Sequence, residues 1–523
     1  MLASNRWVAF SLMVLLATTA LLPQSVAFGE DMPKYGGTLR VATIGEPQHL
    51  DQHVVTSDLV DTIAQHVFET LFAFDANWEP QPLLLKSYEV SEDGRTWVFH
   101  IRQGVLFHNN KEMTSEDVVA SLVRYIEYGF RGGMIKTRLS KLVAIDKYTV
   151  QLELTQPFGV LPALLSLHAA ILPKEIMEAA GPEPIKPEDY IGTGPYRFEE
   201  WRPARYIRLV RFDGYQSLEG DPSGYVGRRV AYLDELLFIP VSEAQTRVAG
   251  LQAGDYDVAL AIPTDLYEIL EVNPRLATYR VGPPNNAPLY FNMSEGLMAN
   301  IKLRQAVLAA LDMQPIMEAA YAPGFWVAQG SILPEGTAWY TEAGAYLFDQ
   351  DDPERAKKLM IEAGYAGQPI RIICTSEYSD HYNRALVIRQ QLIKAGFNVD
   401  LQVYDWATLL ARRAQPALWE IFISSHCFYP DPALYTILDP RYSTRWDTPE
   451  KQLLLEEFLT TAEFKTRYRI WEDLQALLWV QLPWVKSGDY WDLAAMGTSV
   501  TGFNDTNHPV IVRPYFWNIW LED

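Results

Sequence analysis

The chain has 523 residues, more than a single core of ~100–200 residues organises, so two or more lobes are expected. Its 44 basic residues stand against 65 acidic ones, and a net charge of −21 argues against nucleic acid as a partner. Cys374 and Cys427 are too far apart for a CxxC metal or redox motif, which leaves a disulfide or two buried thiols.

In chain order, Arg6 precedes an apolar run from Trp7 to Leu22, and Pro23 and Ser25-Val26-Ala27 follow. That is the layout of a cleavable secretory signal, residues 1–27, with cleavage after Ala27. The run is short for a bilayer span of ~20 apolar residues and is interrupted by Ser11, Thr18 and Thr19. No cysteine follows the cleavage zone, so the mature protein is expected free of a lipid anchor and outside the cytoplasm. Gly36 to Thr43 alternates like a strand, and apolar residues at helical spacing predict a helix within Asp58 to Phe74. Thr114, three residues before Asp117, opens an amphipathic helix through Ile126 with a capping-box start. Gly194 to Phe212 reads as an antiparallel hairpin turning at Arg202-Pro203-Ala204-Arg205.

From Asp352 onward the elements alternate. Asp352 caps a helix whose first residue is Pro353 and whose end is Gly364. Then come a strand at Pro369 to Cys374, a helix at Asp380 to Ala395, a strand at Phe397 to Tyr404, a helix at Asp405 to Arg413 and a strand at Trp419 to Ser425. Such alternation predicts an α/β fold with a parallel sheet, whose ligand crevice lies beyond the carboxyl ends of the strands. Two ends are legible: Tyr404-Asp405-Trp406, and the segment from Ser424 to Pro432.

Asp431, held between Pro430 and Pro432, offers a pre-positioned carboxylate for a ligand amine, although a turn aspartate beside proline has the same pattern. Trp406, Phe428 and Tyr429 offer either apolar pocket walls or core packing. His49 and His53 have a spacing that would converge on a metal from a helix, but Pro47 and Gln48 indicate an extended loop, so no metal site is expected. HExxH, GxxxxGK[ST] and GxSxG motifs are missing, and Gly192-Thr193-Gly194-Pro195 reads as a turn and not as a dinucleotide cradle. No cofactor and no catalytic apparatus are expected.

Several motifs in fixed order carry a resemblance: GGTLRVA at Gly36 to Ala42, LDQH at Leu50 to His53, WVFHIRQGVLFHNNKEMTSEDVV at Trp97 to Val119, GTGPYRFEEW at Gly192 to Trp201, and NIKLRQAVLAALD at Asn300 to Asp312. With these the chain resembles the family 5 extracytoplasmic solute-binding proteins of peptide, opine and nickel ABC importers. The resemblance implies a type II periplasmic binding protein fold, two large lobes with a hinge plus an inserted small domain. Residues 28–74 and 189–284 would form lobe I, 75–188 the small domain and 285–486 lobe II, with 487–523 returning to lobe I. It implies a monomeric, non-catalytic, periplasmic protein that captures a small peptide or a peptide-like or opine-like solute and delivers it to the permease subunits of an inner-membrane transporter. A nickel chelate, an oligosaccharide or, from another class, an exported hydrolase are the alternatives. By the same resemblance Asp431 would pair with a ligand amine and Trp406 would line the pocket. Ser425, Cys427 and Phe428 would form its walls, with Tyr404 and Tyr429 beside them. Phe428 and Ser425 stand where oligopeptide binders tend to carry Trp and Arg, which points away from long peptides.

Overall fold

The computed structural model describes residues 33–55, 57–503 and 513–522; the secretory-signal reading of residues 1–27 lies outside them. The first strand, β1 (Thr38–Thr43), buries Leu39, Val41 and Ala42, as its alternation predicts. The helix expected within Asp58 to Phe74 is shorter: α1 spans Asp58–Ala64, and Phe72–Phe74 is a strand paired with Pro80–Pro82. The reason is competition for backbone acceptors. The carbonyls of His66 and Val67, which a longer helix would use internally, accept instead from the N–H groups of Tyr196 and Gly194. A Cβ on Gly192 or Gly194 would stand 2.0 Å from the Val67 oxygen or 2.4 Å from the His66 oxygen. Glycine in the Gly192-Thr193-Gly194 turn is therefore what allows it to dock on the end of α1.

A smaller unit follows. Strands β2 (Leu85–Val90) and β3 (Thr96–Ile101) precede helix α2 (Ser115–Tyr128), and β4 (Leu139–Asp146) and β5 (Thr149–Leu154) complete an antiparallel sheet in the order β2-β3-β5-β4. The Thr114 N–H donates to the Asp117 carboxylate at 2.8 Å, so the start of α2 is capped as its sequence indicates.

The chain then builds strands β6 (Tyr196–Arg202) and β7 (Tyr206–Arg211), the antiparallel hairpin read from the sequence. Next come β8 (Glu235–Pro240), α3 (Ala244–Ala253), β9 (Val258–Ile262) and the 16-residue strand β10 (Leu276–Phe291). The alternating region follows as expected: α4 (Pro353–Glu362), β11 (Ile370–Thr375), α5 (Ser379–Ala395), β12 (Val399–Tyr404), α6 (Trp406–Arg413) and β13 (Ile421–Ile423). β11 runs parallel to both β12 and β13. Helix α7 (Phe464–Gln481) leads into the 14-residue strand β14 (Trp484–Gly497).

The main sheet has the order β12-β11-β13-β10-β14-β9-β1-β8-β7-β6. Its centre is the antiparallel pair β10 and β14, the two strands long enough to reach from one half to the other. The first part of β10 meets the end of β14 where β14 also pairs with β9, and the last part of β10 pairs with β13. The register of β10 against β14 shifts between Val281 and Asn285 and again between Asn286 and Pro288, so the ladder is interrupted midway between the halves. Both cysteines are free thiols. No helix among the described residues is long and apolar enough to cross a membrane.

Candidate interlobe binding site

The two halves of the sheet meet where the interrupted strands face the carboxyl ends of β11, β12 and β13. Asp58, at the first position of α1, is reached from the opposite half by the thiol of Cys427, which lies just beyond β13. The other oxygen of Asp58 accepts from Arg513 Nε at 3.0 Å and Nη2 at 2.6 Å. Arg513 also pairs with Asp61 at 3.0 Å, and Asp61 pairs with His168 at 2.8 Å. His168 Nδ1 meets Arg131 at 2.9 Å, and the Arg131 guanidinium lies 4.6 Å from the centre of the Tyr429 ring. A chain of ion pairs and hydrogen bonds thus ties α1 to the small unit and to the loop after β13. Burial works against the charge of Arg513, but Asp61 and Asp58 outweigh it and hold its pKa well above the ordinary range.

On the opposite side, Tyr378 precedes α5 and Trp406 begins α6, and their rings meet edge to face at 5.2 Å. Asp380, on α5, accepts from the Tyr321 hydroxyl at 2.8 Å and lies 3.7 Å from Arg384. Burial opposes the charge of Asp380, yet His381, Arg384 and Tyr321 together lower its pKa.

The strands between supply the rest. Tyr490 and Asp492 are two residues apart on β14, a spacing that puts side chains on one face of a strand. Tyr490 stacks on Tyr321 with ring centres 4.6 Å apart. Asp492 accepts one hydrogen bond, from Asn285 Nδ2 on β10 at 2.8 Å, and no cation pairs with it among the described residues. Burial, and then the like charges of Asp380 and Asp58, raise its carboxyl to about 7. Tyr378, Tyr429 and Tyr490 are all within electrostatic reach of Cys427, and none of their hydroxyls has a hydrogen-bond partner among the described residues. Such convergent, unused donors on apolar walls are what a small polar solute requires.

The structure sorts the residues read from the sequence. Cys427, Tyr429 and Trp406 take part in this arrangement. Ser425 is half-buried at the end of β13. Phe428 is fully buried; its ring meets Trp78 at 5.6 Å and its N–H donates to Asn285 Oδ1. Tyr404 is engaged on its own side of the sheet, with its hydroxyl on Gln402 and the Arg412 guanidinium 4.6 Å from its ring centre. Asp431 is not a waiting carboxylate. Its oxygens accept from Arg467 at 3.0 and 3.2 Å, one of them also from the Ala433 N–H, and both side chains are almost wholly buried. The expectation that Asp431 faces a ligand amine is corrected accordingly: α7 already supplies its counter-charge. His53 Nε2 donates to the Ala170 carbonyl at 2.8 Å, burial brings its pKa down to about 4, and no metal-holding cluster of three side chains occurs among the described residues. His426 is taken up by the Cys427 carbonyl and Thr436, stacked on Tyr435.

A model of the bacterial extracellular solute-binding proteins, family 5 Middle, matches residues 79–445. The chain belongs to this family. It is 27% identical over 496 residues, covering 90% of this chain and 91% of the other, to a probable peptide ABC transporter periplasmic-binding protein, y4tO, of Sinorhizobium fredii. Among solved structures, the periplasmic binding protein AgaA of A. tumefaciens R10 with agropinic acid superposes with a TM-score of 0.79 at 26% identity, covering 93% of this chain and 99% of that one. The DppA protein of Helicobacter pylori with the peptide STSA has a TM-score of 0.81 at 21% identity, covering 94% and 99%. The type II binding-protein architecture expected from the motifs is the observed one.

In this family 5 protein the residues that sequence reading passed over are Asp58, Asn285, Tyr378, Tyr490, Asp492 and Arg513. One signal was present: Asp489 and Asp492 stand in a strand whose two ends, Trp484-Val485 and Leu493 to Met496, are apolar, where a carboxylate needs a reason. Asp489 has an internal one, its pair with Lys486 at 2.5 Å. A separate groove of about 650 Å³, lined by Tyr190, Phe198 and Trp201 among others, lies beside β6. Along it Arg197 pairs with Glu199, Glu200 with Arg202, and Trp201 donates to Glu46.

Proposed function

We propose that this protein is the non-catalytic, periplasmic binding component of an ABC importer, working as a monomer that takes one peptide-like or opine-like solute between its lobes and presents it to permease subunits of the inner membrane. The observation that carries the reading is a set of groups between the lobes: the Asp492 carboxylate, which no cation pairs with among the described residues, and the Tyr378, Tyr429 and Tyr490 hydroxyls, which have no hydrogen-bond partner among them, beside the Trp406 ring. Family membership, the peptide-transporter description of the Sinorhizobium relative and the agropinic acid bound in the A. tumefaciens AgaA structure support the solute class. The proposed binding residues include Trp406, Tyr429, Cys427 and Ser425, and the proposed lobes are those expected from the sequence, joined at β10 and β14. Closure is a population shift: a solute touching both lobes favours the closed form.

The test is native mass spectrometry of protein taken from its own cell, followed by incubation of the identified solute with pure protein. Recovery of one unaltered solute per chain is expected. Turnover of that solute, or a protein that never carries or binds any, rejects the proposal.

A further inference from the structure

The charges between the lobes do not balance, and the imbalance is local. Asp58 is neutralised by Arg513, and Asp380 by Arg384 and the Tyr321 hydroxyl. Among the described residues Asp492 has only the neutral amide of Asn285. That amide is fixed, because its oxygen accepts from the Phe428 N–H at 3.1 Å and its NH2 group therefore faces Asp492. Asn285 is 7% exposed, so it cannot swing away to leave Asp492 to bulk water. Independently of the carboxylates, Tyr490 is also 7% exposed and clamped by the stacking of its ring on Tyr321, yet its hydroxyl has no hydrogen-bond partner among the described residues. Electrostatically it faces Asp492, Tyr321, Asp380 and Cys427. A rigid, deeply set hydroxyl beside an uncompensated carboxylate marks an unfilled position for a group that donates to both.

The nearby arginines offer no counterpart for a ligand carboxylate. Arg513 is taken by Asp58 and Asp61. Arg384 donates to the Pro288 and Ser424 carbonyls. Arg131 donates to the Leu434 carbonyl and His168, and Arg247 to the Val241 and Ala261 carbonyls. An anionic group at Asp492 would meet repulsion with each of these four arginines already engaged, while an ammonium would find a carboxylate and a phenol oxygen.

Resting on the solute-binding reading above, we infer that Asp492 and the hydroxyl of Tyr490 form the subsite for the solute's cationic nitrogen, so that the protein selects solutes with a free ammonium group. The subsite sits on a strand shared by both lobes and needs no movement to assemble. Closure would then add Tyr378 and Trp406 from one side and Asp58 and Cys427 from the two lobes around a solute already anchored at the hinge.

The test uses the full mature chain and a defined probe set: the twenty alanyl dipeptides and their N-acetylated counterparts, titrated calorimetrically at pH 8 into wild type, Asp492→Asn and Tyr490→Phe. The expected result is that at least one free dipeptide binds wild type and its acetylated form does not. Asp492→Asn should then weaken that binding about a hundredfold or more, as for a buried charge pair losing one partner, and Tyr490→Phe about tenfold. Asparagine is isosteric and removes a half-buried carboxylate that no cation pairs with among the described residues, and Tyr490→Phe keeps the ring stack, so both variants should fold; circular dichroism checks this. Acetylated dipeptides binding as tightly as free ones, or unchanged affinity in Asp492→Asn, overturns the inference and leaves the solute-binding reading standing. A wild-type chain that binds no member of either set overturns the inference, and the cargo found by native mass spectrometry decides the broader reading separately.

Discussion

Asp431 and Arg467 show how far a residue's surroundings can redirect its role. The guanidinium lies 4.8 Å from the centre of the Trp339 ring and 4.4 Å from that of Phe458, in an apolar setting where its charge depends on Asp431. Asp431→Asn should therefore lower unfolding stability by about 3 kcal/mol, because it leaves a buried cation without its partner. Denaturant titration checks the size, and the solute affinity of the folded variant should be retained. Asp492 should behave in the opposite way. Its carboxyl binds a proton more tightly in the folded protein, at about 7, than at its ordinary value of 3.8. The solute-free protein is thus penalised when Asp492 ionises: this cost is absent below about pH 4 and fully present above pH 7. Asp492→Asn should be more stable than wild type at pH 8, by on the order of 2 kcal/mol, and the advantage should shrink towards zero as pH falls to 4. Buried neutral histidines such as His53 and His66 lose stability at low pH in both proteins, so the difference between the two denaturation curves isolates Asp492.

At the level of elements, the Gly192-Thr193-Gly194 turn and the end of α1 determine each other. Gly194→Ala would drive a methyl group to within 2.4 Å of the His66 carbonyl, so either the turn or α1 must shift. A loss of more than ~2 kcal/mol is expected, the range for a clash at a close backbone approach, and thermal unfolding reads it. The same helix presents Asp58 to Cys427. Asp58→Ala removes the carboxylate that the Cys427 thiol reaches across the lobes and, among the described residues, leaves Arg513 with Asp61 as its acidic partner. Alkylation of Cys427 should then be faster in the variant than in wild type, as mass spectrometry of the modified thiol would register, while fully buried Cys374 stays unmodified in both.

For the whole molecule, β10 and β14 are the continuous connections inside one sheet, and their ladder is interrupted where the lobes part. A sheet broken at that point can bend without losing the pairing on either side. Small-angle scattering should show the radius of gyration falling when the native solute is added, and the change should be smaller in Asp58→Ala. No compaction with a solute of proven affinity would rule out hinge closure.

Most local elements and their order were legible in the residues, because capping, glycine stops and hydrophobic period are short-range properties. The alternating region from Pro353 to Ile423 formed the parallel strands it indicated, and the ordered motifs sufficed for the family. Sequence could not find charges that are completed from afar. Asp431 reads as free until α7 delivers Arg467, 36 residues later. Asp58 and Arg513, 455 residues apart, meet only because the chain returns at its end to α1. The short α1 has the same origin, since the acceptors that would have extended it are used by a strand some 130 residues on. Which carboxylate between the lobes goes without a counter-charge depends on every neighbour that folding brings to it, and among the described residues Asp492 has none, with only the Asn285 amide beside it.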